Sequence, residues 1–502
     1  MTISALSVGT GESAGSGGPG GSGGPGRRAR RGVLMAAGIV LALAGTLGTA
    51  AAAPRAPEAR TSLSADGIWQ MDGYGTALTI SDGVMRTWDT TAISCRPAVT
   101  VRQDGATGPD GTVRFAQDGA VLTVRPRTAS RAVYSYDGAV GTQRMRRISA
   151  LPALCGQDQP TGPVATFDVF WQTFKENYAF FAGRGVDWDA ARAKYRPKVS
   201  AATPPGELFD ILAAMVAPLQ DSHVSLEAAT PELSRYAETI RPGTTAPSRE
   251  YDARVRKFIE RRDLGGKPLE PYANGAIGYA ELPGGIGYLR VSRFIAYTAG
   301  EYGHAIDSPE LARVLDRIIT RARTSGPDAW RGLIIDVRVN MGGMDGLGLQ
   351  IANRLTNHPY TAFAKQTRND PQDDTRLTPR QTMRVVPADD SPRYTGPIAL
   401  LTSGSTVSAG ETFTQALAGR PSPTVRIGEN TQGVFSDTLA RSLPNNWTFT
   451  LSNEKYTNSR GHSFEGPGIP PHLRTPVFTE KEFAADRDSA FDRARALLTT
   501  RR

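Results

Sequence analysis

A serine-rich turn between a buried strand and a helix is the feature that most constrains this chain. Residues 396–401 are an apolar run that predicts a buried strand, and residues 412–418 predict a helix. The turn between them places Ser408 where the strand gives way to the helix. The first N–H groups of a helix lack partners within it, so the Ala409 N–H would stabilise an anion formed beside Ser408. The segment predicts an α/β layer with a nucleophilic serine, although a serine here is also typical of a helix N-cap.

A second predicted strand ends in paired glycines. Residues 331–338 are apolar enough to form a buried strand, and Asn340, Gly342 and Gly343 follow it. Glycine lets the backbone come close to a ligand. We therefore expect Gly342 or Gly343 to supply a second oxyanion donor beside Ala409.

Four short motifs follow one another in the order found in a known family. They are Asp336-x-Arg338-x-Asn340-x-Gly342-Gly343, Ser408-Ala409-Gly410-Glu411, Gly428-x-x-Thr431-x-Gly433 and Glu465-x-x-Gly468-Ile469-x-Pro471. With them, residues 165–475 resemble the family 41 serine peptidases, which include the tail-specific proteases, the tricorn core protease and the interphotoreceptor retinoid-binding protein repeats. The resemblance implies a ββα superhelix of the ClpP and crotonase type, and hydrolysis of peptide bonds in proteins or peptides.

The same resemblance implies which residue acts as base. Tail-specific proteases use a lysine in a turn after the serine, but residues 433–437 carry an apolar residue at that position. The segment from Leu219 to His223 is instead similar to the Leu-x-Asp-x-His motif of the tricorn-like branch. The stretch between His223 and the next strand, near residue 285, is too short for a PDZ domain. A neutral histidine is a suitable base near pH 7 and needs an orienting partner. The implied tetrad is Ser408, His223, Ser222 and Glu465.

Two other readings of the sequence remain open. The retinoid-binding relatives keep this fold without catalysis, so a silent protein that binds hydrophobic ligands is one alternative. An α/β-hydrolase esterase is the other, with Asp437 and either His462 or His472 after Ser408. That reading leaves His223 and the glycine-ended motif at residues 336–343 without a role.

The N-terminal sequence predicts export. Residues 1–26 are rich in Gly, Ser and Pro, arginines follow at 27–31, and an apolar run ends in alanines before residue 54. This order is typical of a secretory signal over residues 1–53, with an uncleaved membrane anchor as the alternative. An exported protein with two cysteines predicts one disulfide, between Cys95 and Cys155. We therefore expect a secreted or cell-envelope protein.

The rest of the chain divides into five further segments. They are a small antiparallel β domain at 62–158, a helical cap at 160–226, a polar insertion at 227–280, the peptidase core at 281–478 and a C-terminal helix at 479–502. The net charge of +9 is not gathered into a basic stripe, which argues against a nucleic-acid partner. No ligand spacing for a metal is present, and the sequence predicts no metal and no cofactor. It does not predict the oligomeric state.

Overall fold

The computed structural model describes residues 63–117, 120–300 and 302–500. The export signal predicted over residues 1–53 lies outside these ranges. Within the described ranges, no helix combines the length and the apolar character that crossing a bilayer requires.

The N-terminal β domain is a closed antiparallel meander. Its sheet has the order β4-β3-β2-β1-β8-β7-β6-β5. A bridge between Gln103 and Phe115 joins its two edges, so the sheet closes into a small barrel around buried Trp69. Its strands are β1 (Gly67–Met71), β2 (Thr76–Ser81), β3 (Val84–Thr90), β4 (Cys95–Arg102), β5 (Val113–Gln117), β6 (Ala120–Thr128), β7 (Arg131–Tyr136) and β8 (Gln143–Ile148).

A disulfide joins the barrel to the segment that leaves it. Cys95 at the start of β4 is bonded to Cys155, which lies in a single 3₁₀ turn just before the helical cap. The predicted pairing of the two cysteines is confirmed.

Removing this disulfide should destabilise the protein. The bond closes a loop with a sequence separation of 60 residues. In the chain-entropy model, such a loop contributes about 4 kcal/mol to the free energy of unfolding. We expect the double variant Cys95→Ser/Cys155→Ser to unfold at correspondingly lower urea concentration than the oxidised wild type. Equal midpoints for the oxidised wild type and the variant would contradict this.

The helical cap packs on a sheet that it shares with the core. Its helices are α1 (Gly162–Asn177), α2 (Phe181–Arg184), α3 (Trp188–Tyr195) and α4 (Pro205–Val216). The shared four-stranded sheet has the order β10-β9-β22-β21, in which β9 is Ser225–Thr230, β10 is Leu233–Glu238, β21 is Thr438–Ser442 and β22 is Thr448–Ser452. Phe170 and Phe174 of α1 pack against Phe449 of β22. The cap and the core are therefore held together by one continuous apolar cluster.

The core is a layered α/β unit. Its main sheet has the order β11-β12-β13-β14-β18-β20-β24, antiparallel up to β13 and parallel beyond it. These strands are β11 (Glu270–Tyr272), β12 (Ile277–Leu282), β13 (Ile286–Val291), β14 (Gly332–Asp336), β18 (Ile398–Thr402), β20 (Thr424–Gly428) and β24 (Leu473–Arg474). The remaining strands are β15 (Val339–Asn340), β16 (Tyr360–Thr367), β17 (Gln381–Val385), β19 (Ser405–Thr406) and β23 (Glu454–Thr457).

Helices cover both faces of the main sheet, as an α/β fold requires. One face packs against α6 (His304–Ile318), α8 (Asp345–Asn353) and α9 (Ala409–Ala418). The other packs against α5 (Arg249–Arg262), α10 (Glu480–Ala484) and α11 (Ser489–Thr500). The short α7 (Arg321–Thr324) links α6 to β14. Past the carboxyl ends of β14 and β18, the chain continues into the parallel pair β15 and β19. Gly342 and Gly343 follow β15, and Ser408 follows β19.

Two predicted segments need correction. Residues 227–280 are not a loose insertion, because they contain the β9–β10 hairpin, helix α5 and the first strands of the main sheet, which begins at Glu270 instead of residue 281. Helix α5 is charged overall, but Val255, Phe258 and Ile259 share one buried face. The predicted C-terminal helix is also interrupted, with Asp486 at φ +48° between α10 and α11. Asp488 explains the interruption, since its carboxylate accepts the Phe491 N–H and bonds a buried arginine.

A carboxyl group beside this break should make stability depend on pH. Burial, together with the nearby Asp488 carboxylate, raises the pKa of Asp263 to about 8. The folded chain then binds a proton that the unfolded chain has already lost. Asp263 should therefore contribute a fall in the free energy of unfolding of about 1.4 kcal/mol per pH unit as the pH rises from about 4 to about 8.

The variant Asp263→Asn should make the slope shallower by this contribution, because its amide mimics the protonated acid. Urea midpoints between pH 5 and 8 would measure it. Asp210→Asn, which alters an exposed pair with Arg235, is the matched control and should keep the wild-type slope. Parallel slopes in wild type and Asp263→Asn would contradict the assignment.

Candidate active site

Ser408 lies in a strained turn at the N-terminus of α9. Its φ is +53° and its ψ is −122°, a conformation that residues other than glycine rarely adopt. The turn is held by hydrogen bonds from the Ser408 N–H to the Val434 carbonyl (3.1 Å) and from the Val407 N–H to the Asn340 carbonyl (3.2 Å). In the described part of the chain the Ser408 hydroxyl has no hydrogen-bond partner. Backbone strain of this kind is concentrated at functional sites.

The glycine turn after β15 packs directly against Ser408. A Cβ placed on Gly342 would lie 2.7 Å from the Ser408 Cβ and 3.2 Å from its Oγ, so only glycine fits there. The Gly342 N–H donates to the Asn340 Oδ1 (2.9 Å) and is not free. Within the described residues, the N–H groups of Gly343 and Ala409 have no partner. Of the two glycines predicted as oxyanion donors, Gly343 is thus the one with an available N–H.

One backbone segment, residues 433–436, connects the predicted site residues. The Val434 carbonyl accepts the Ser408 N–H (3.1 Å). The Phe435 N–H donates to the Glu465 Oε2 (3.0 Å), and the His223 ring interacts with the backbone of Ser436. The N–H groups of Gly433 and Val434 both donate to Glu411 (2.7 Å each). Ser408, His223 and Glu465 therefore meet around four consecutive residues.

Glu411 is a buried residue that holds residues 433–434 in place through hydrogen bonds. Its carboxyl group is fully buried, which raises its pKa to about 7, while its hydrogen bonds oppose the shift. It joins the first turn of α9 to residues 433–434, and thereby holds Ser408 against Val434.

His223 is half-buried, and its surroundings favour the neutral form of its ring. Burial lowers its pKa, the Asp221 carboxylate and the Ser436 backbone act in the opposite direction, and Arg184 lowers it further. The backbone N–H of His223 donates to the Asp221 Oδ1 (3.0 Å), and the ring Nδ1 is buried without a hydrogen-bond partner. A neutral imidazole with an unpaired nitrogen has the properties of a general base.

Of the two predicted partners of His223, Glu465 is held in the site by contacts and Ser222 is not. Within the described chain, no hydrogen bond joins the Ser222 hydroxyl to His223 or to Glu465. Glu465 is buried, and its Oε1 lies 3.4 Å from the Arg184 Nη2. Burial and the nearby Asp221 carboxylate raise the pKa of Glu465, and Arg184 opposes the rise. Arg184 is a site residue that the sequence did not reveal, whereas Asp221 stands in the Leu-x-Asp-x-His motif.

Lys365, a buried lysine of the core, does not qualify as a base. Burial alone would lower the pKa of Lys365, but the carboxylates of Glu454 (3.0 Å) and Asp437 (3.4 Å) outweigh it and raise the pKa. Asp437 is therefore already paired with Lys365. The His472 Nδ1 accepts the backbone N–H of Arg426 (3.0 Å), so neither Asp437 nor His472 is free to serve in the alternative hydrolase set.

Comparison with known proteins agrees with this geometry. Residues 285–475 match the model of peptidase family S41, and residues 165–217 match that of the tricorn protease C1 domain. No curated protein matched the chain. The crystal structure of a candidate peptidase from Parabacteroides merdae is similar, with 23% identity, a TM-score of 0.56, and coverage of 68% of this chain and 98% of that one.

Two further solved structures are less similar to this chain. Mature CPAF has 13% identity and a TM-score of 0.46, over 67% of this chain and 96% of that one. The tricorn protease has 15% identity and a TM-score of 0.38, over 84% of this chain and 45% of that one.

The match to the family model identifies residues 285–475 as the domain of a serine-type peptidase, a hydrolase. That domain belongs to peptidase family S41. The family predicted from the four sequence motifs is confirmed.

Proposed function

We propose that the chain is an exported serine peptidase that hydrolyses proteins or peptides through an acyl-enzyme intermediate. The observation that carries the proposal is the strained Ser408 turn, with a free hydroxyl beside the unpaired N–H groups of Gly343 and Ala409. The family match supports peptide bonds as the target. The signal-like residues 1–53 and the Cys95–Cys155 disulfide support export.

In the proposed mechanism, the Ser408 Oγ attacks the peptide carbonyl carbon and His223 takes its proton. The N–H groups of Ala409 and Gly343 hold the resulting oxyanion. When the carbon–nitrogen bond breaks, His223 passes the proton to the leaving amine. Water then hydrolyses the acyl-enzyme with His223 again as base. Ser222 and Glu465 complete the tetrad as the residues that orient His223.

The pH profile of peptide hydrolysis tests the base. Since burial lowers the pKa of His223, the acidic limb of kcat/KM should lie below about 6.5, and the rate should be level from pH 7 to 8. A quenched fluorescent protein substrate would report it. An acidic limb of kcat/KM that lies above pH 8 would indicate a lysine base and contradict the proposal. Tight binding of hydrophobic ligands without any hydrolysis would favour the silent binding protein instead.

A further inference from the structure

Arg184 occupies the junction between the cap and the candidate active site. It is the last residue of α2, and its side chain is only 6% exposed. Its Nη1 donates to the Gln220 carbonyl (3.0 Å), and its Nη2 donates to the Gly433 carbonyl (3.1 Å). One guanidinium thus bonds both the segment that precedes His223 and the segment that holds Ser408.

The same guanidinium lies between two buried carboxylates. Its Nη2 is 3.4 Å from Glu465 and 3.8 Å from Asp221, whose side chains are 2% and 0% exposed. The Tyr178 hydroxyl donates to the Asp221 Oδ2 (3.0 Å), and the Asp221 Oδ1 accepts the backbone N–H of His223 (3.0 Å). Two carboxylates buried this close repel each other, so a cation between them is needed to keep them in place.

We propose that Arg184 is a positioning residue for catalysis, which sets the His223 loop against the Ser408 segment and keeps Asp221 and Glu465 together. This inference rests on the proposed function. Arg184 touches neither the substrate nor the reacting atoms. It acts through Gln220 and Asp221 on one side and through Gly433 and Glu465 on the other. The planar guanidinium of arginine directs its N–H donors at several acceptors at once. The compact ammonium of a lysine cannot reproduce this arrangement.

The test compares Arg184→Met and Arg184→Lys with a control in the same cap. The control is Arg192→Met on α3, which removes a partly exposed pair with Asp168 (3.1 Å) far from residues 433–436. A small misplacement of a catalytic group can cost about 100-fold in rate, so we expect kcat of Arg184→Met to fall by about that factor. KM should change by less than about threefold, because the substrate contacts remain.

The pH profile separates positioning from a merely structural role. Arg184 lowers the pKa of His223, so the acidic limb should move to higher pH in Arg184→Met. Arg184→Lys keeps the charge and should restore the limb, while kcat stays intermediate because the fork is lost. Arg184→Lys also serves as the test if Arg184→Met does not fold.

The outcomes distinguish this inference from the proposed function. An active wild type in which both Arg184 variants match Arg192→Met in kcat and in pH limb would overturn the positioning role. A folded wild type without hydrolysis at any pH would overturn the proposed function itself.

Discussion

Ser408→Ala is expected to abolish peptide hydrolysis while the protein stays folded. The hydroxyl of Ser408 is the nucleophile, and no other serine in the described chain combines a strained turn with two unpaired N–H groups. Removing such a nucleophile lowers kcat by about 10⁴-fold or more, to the residual rate that the oxyanion donors supply. Initial rates on a quenched fluorescent protein substrate, at concentrations that separate kcat from KM, would measure the loss.

Ser442→Ala on β21 is the matched control for this substitution. It removes a hydroxyl from a strand of the same core and should retain wild-type rates. Both variants should unfold at the wild-type temperature, since neither hydroxyl takes part in a hydrogen bond within the described residues. Persistent hydrolysis in Ser408→Ala would remove Ser408 from the mechanism.

Arg338→Met is expected to cause a large loss of stability, comparable to the loss on removal of the disulfide. Arg338 is fully buried, and its guanidinium bonds Asp336 (2.7 Å) and both oxygens of Asp488 (2.7 Å). It also stacks on Phe478 at 4.1 Å. Removing it leaves two buried carboxylates without their cation, which costs about 3–5 kcal/mol. For comparison, the whole free energy of unfolding of a natural domain is about 5–15 kcal/mol.

Urea denaturation followed by tryptophan fluorescence would measure the loss. Arg254→Met is the control, because its pair with Glu480 is exposed on both sides and should contribute less than about 1 kcal/mol. If Arg338→Met does not accumulate as a folded protein, Arg338→Lys should fold with an intermediate midpoint. Equal losses in Arg338→Met and Arg254→Met would contradict the assigned role of the buried ion cluster.

Much of the core could be predicted because its signals are local. The apolar run before Ser408 became β18, and the residues after it became α9, with Ser408 at the boundary. The antiparallel domain and the disulfide also followed from short-range alternation and from the cysteine pair. The strand, the helix and the alternating sheet depend on neighbours within a few residues, whereas the disulfide could be predicted because the chain has only two cysteines.

The elements that were missed depend on contacts distant in sequence. Helix α5 has a mostly charged sequence, and its three buried residues stabilise it only because the far face of the main sheet receives them. The break before α11 exists because Asp488 reaches Arg338, 150 residues away. Arg184 carried no local signal at all, since its partner Glu465 is 281 residues distant.

The candidate site shows the same division. Its residue types were recognisable from the four family motifs and the Leu-x-Asp-x-His segment, but their meeting around residues 433–436 was not. The Asn340 side chain accepts the Gly342 N–H and, among the described residues, leaves the Gly343 N–H free. The sequence does not indicate which of the two glycines Asn340 bonds.

Covalent labelling tests the central claim most directly. A fluorophosphonate probe reacts with a serine only when a neighbouring base and an oxyanion site activate it. We expect one adduct on the purified chain, located at Ser408 by intact mass and peptide mapping, with labelling lost in His223→Ala and retained in the control Ser442→Ala. An unlabelled wild type that is folded, or an adduct on another serine, would contradict the account.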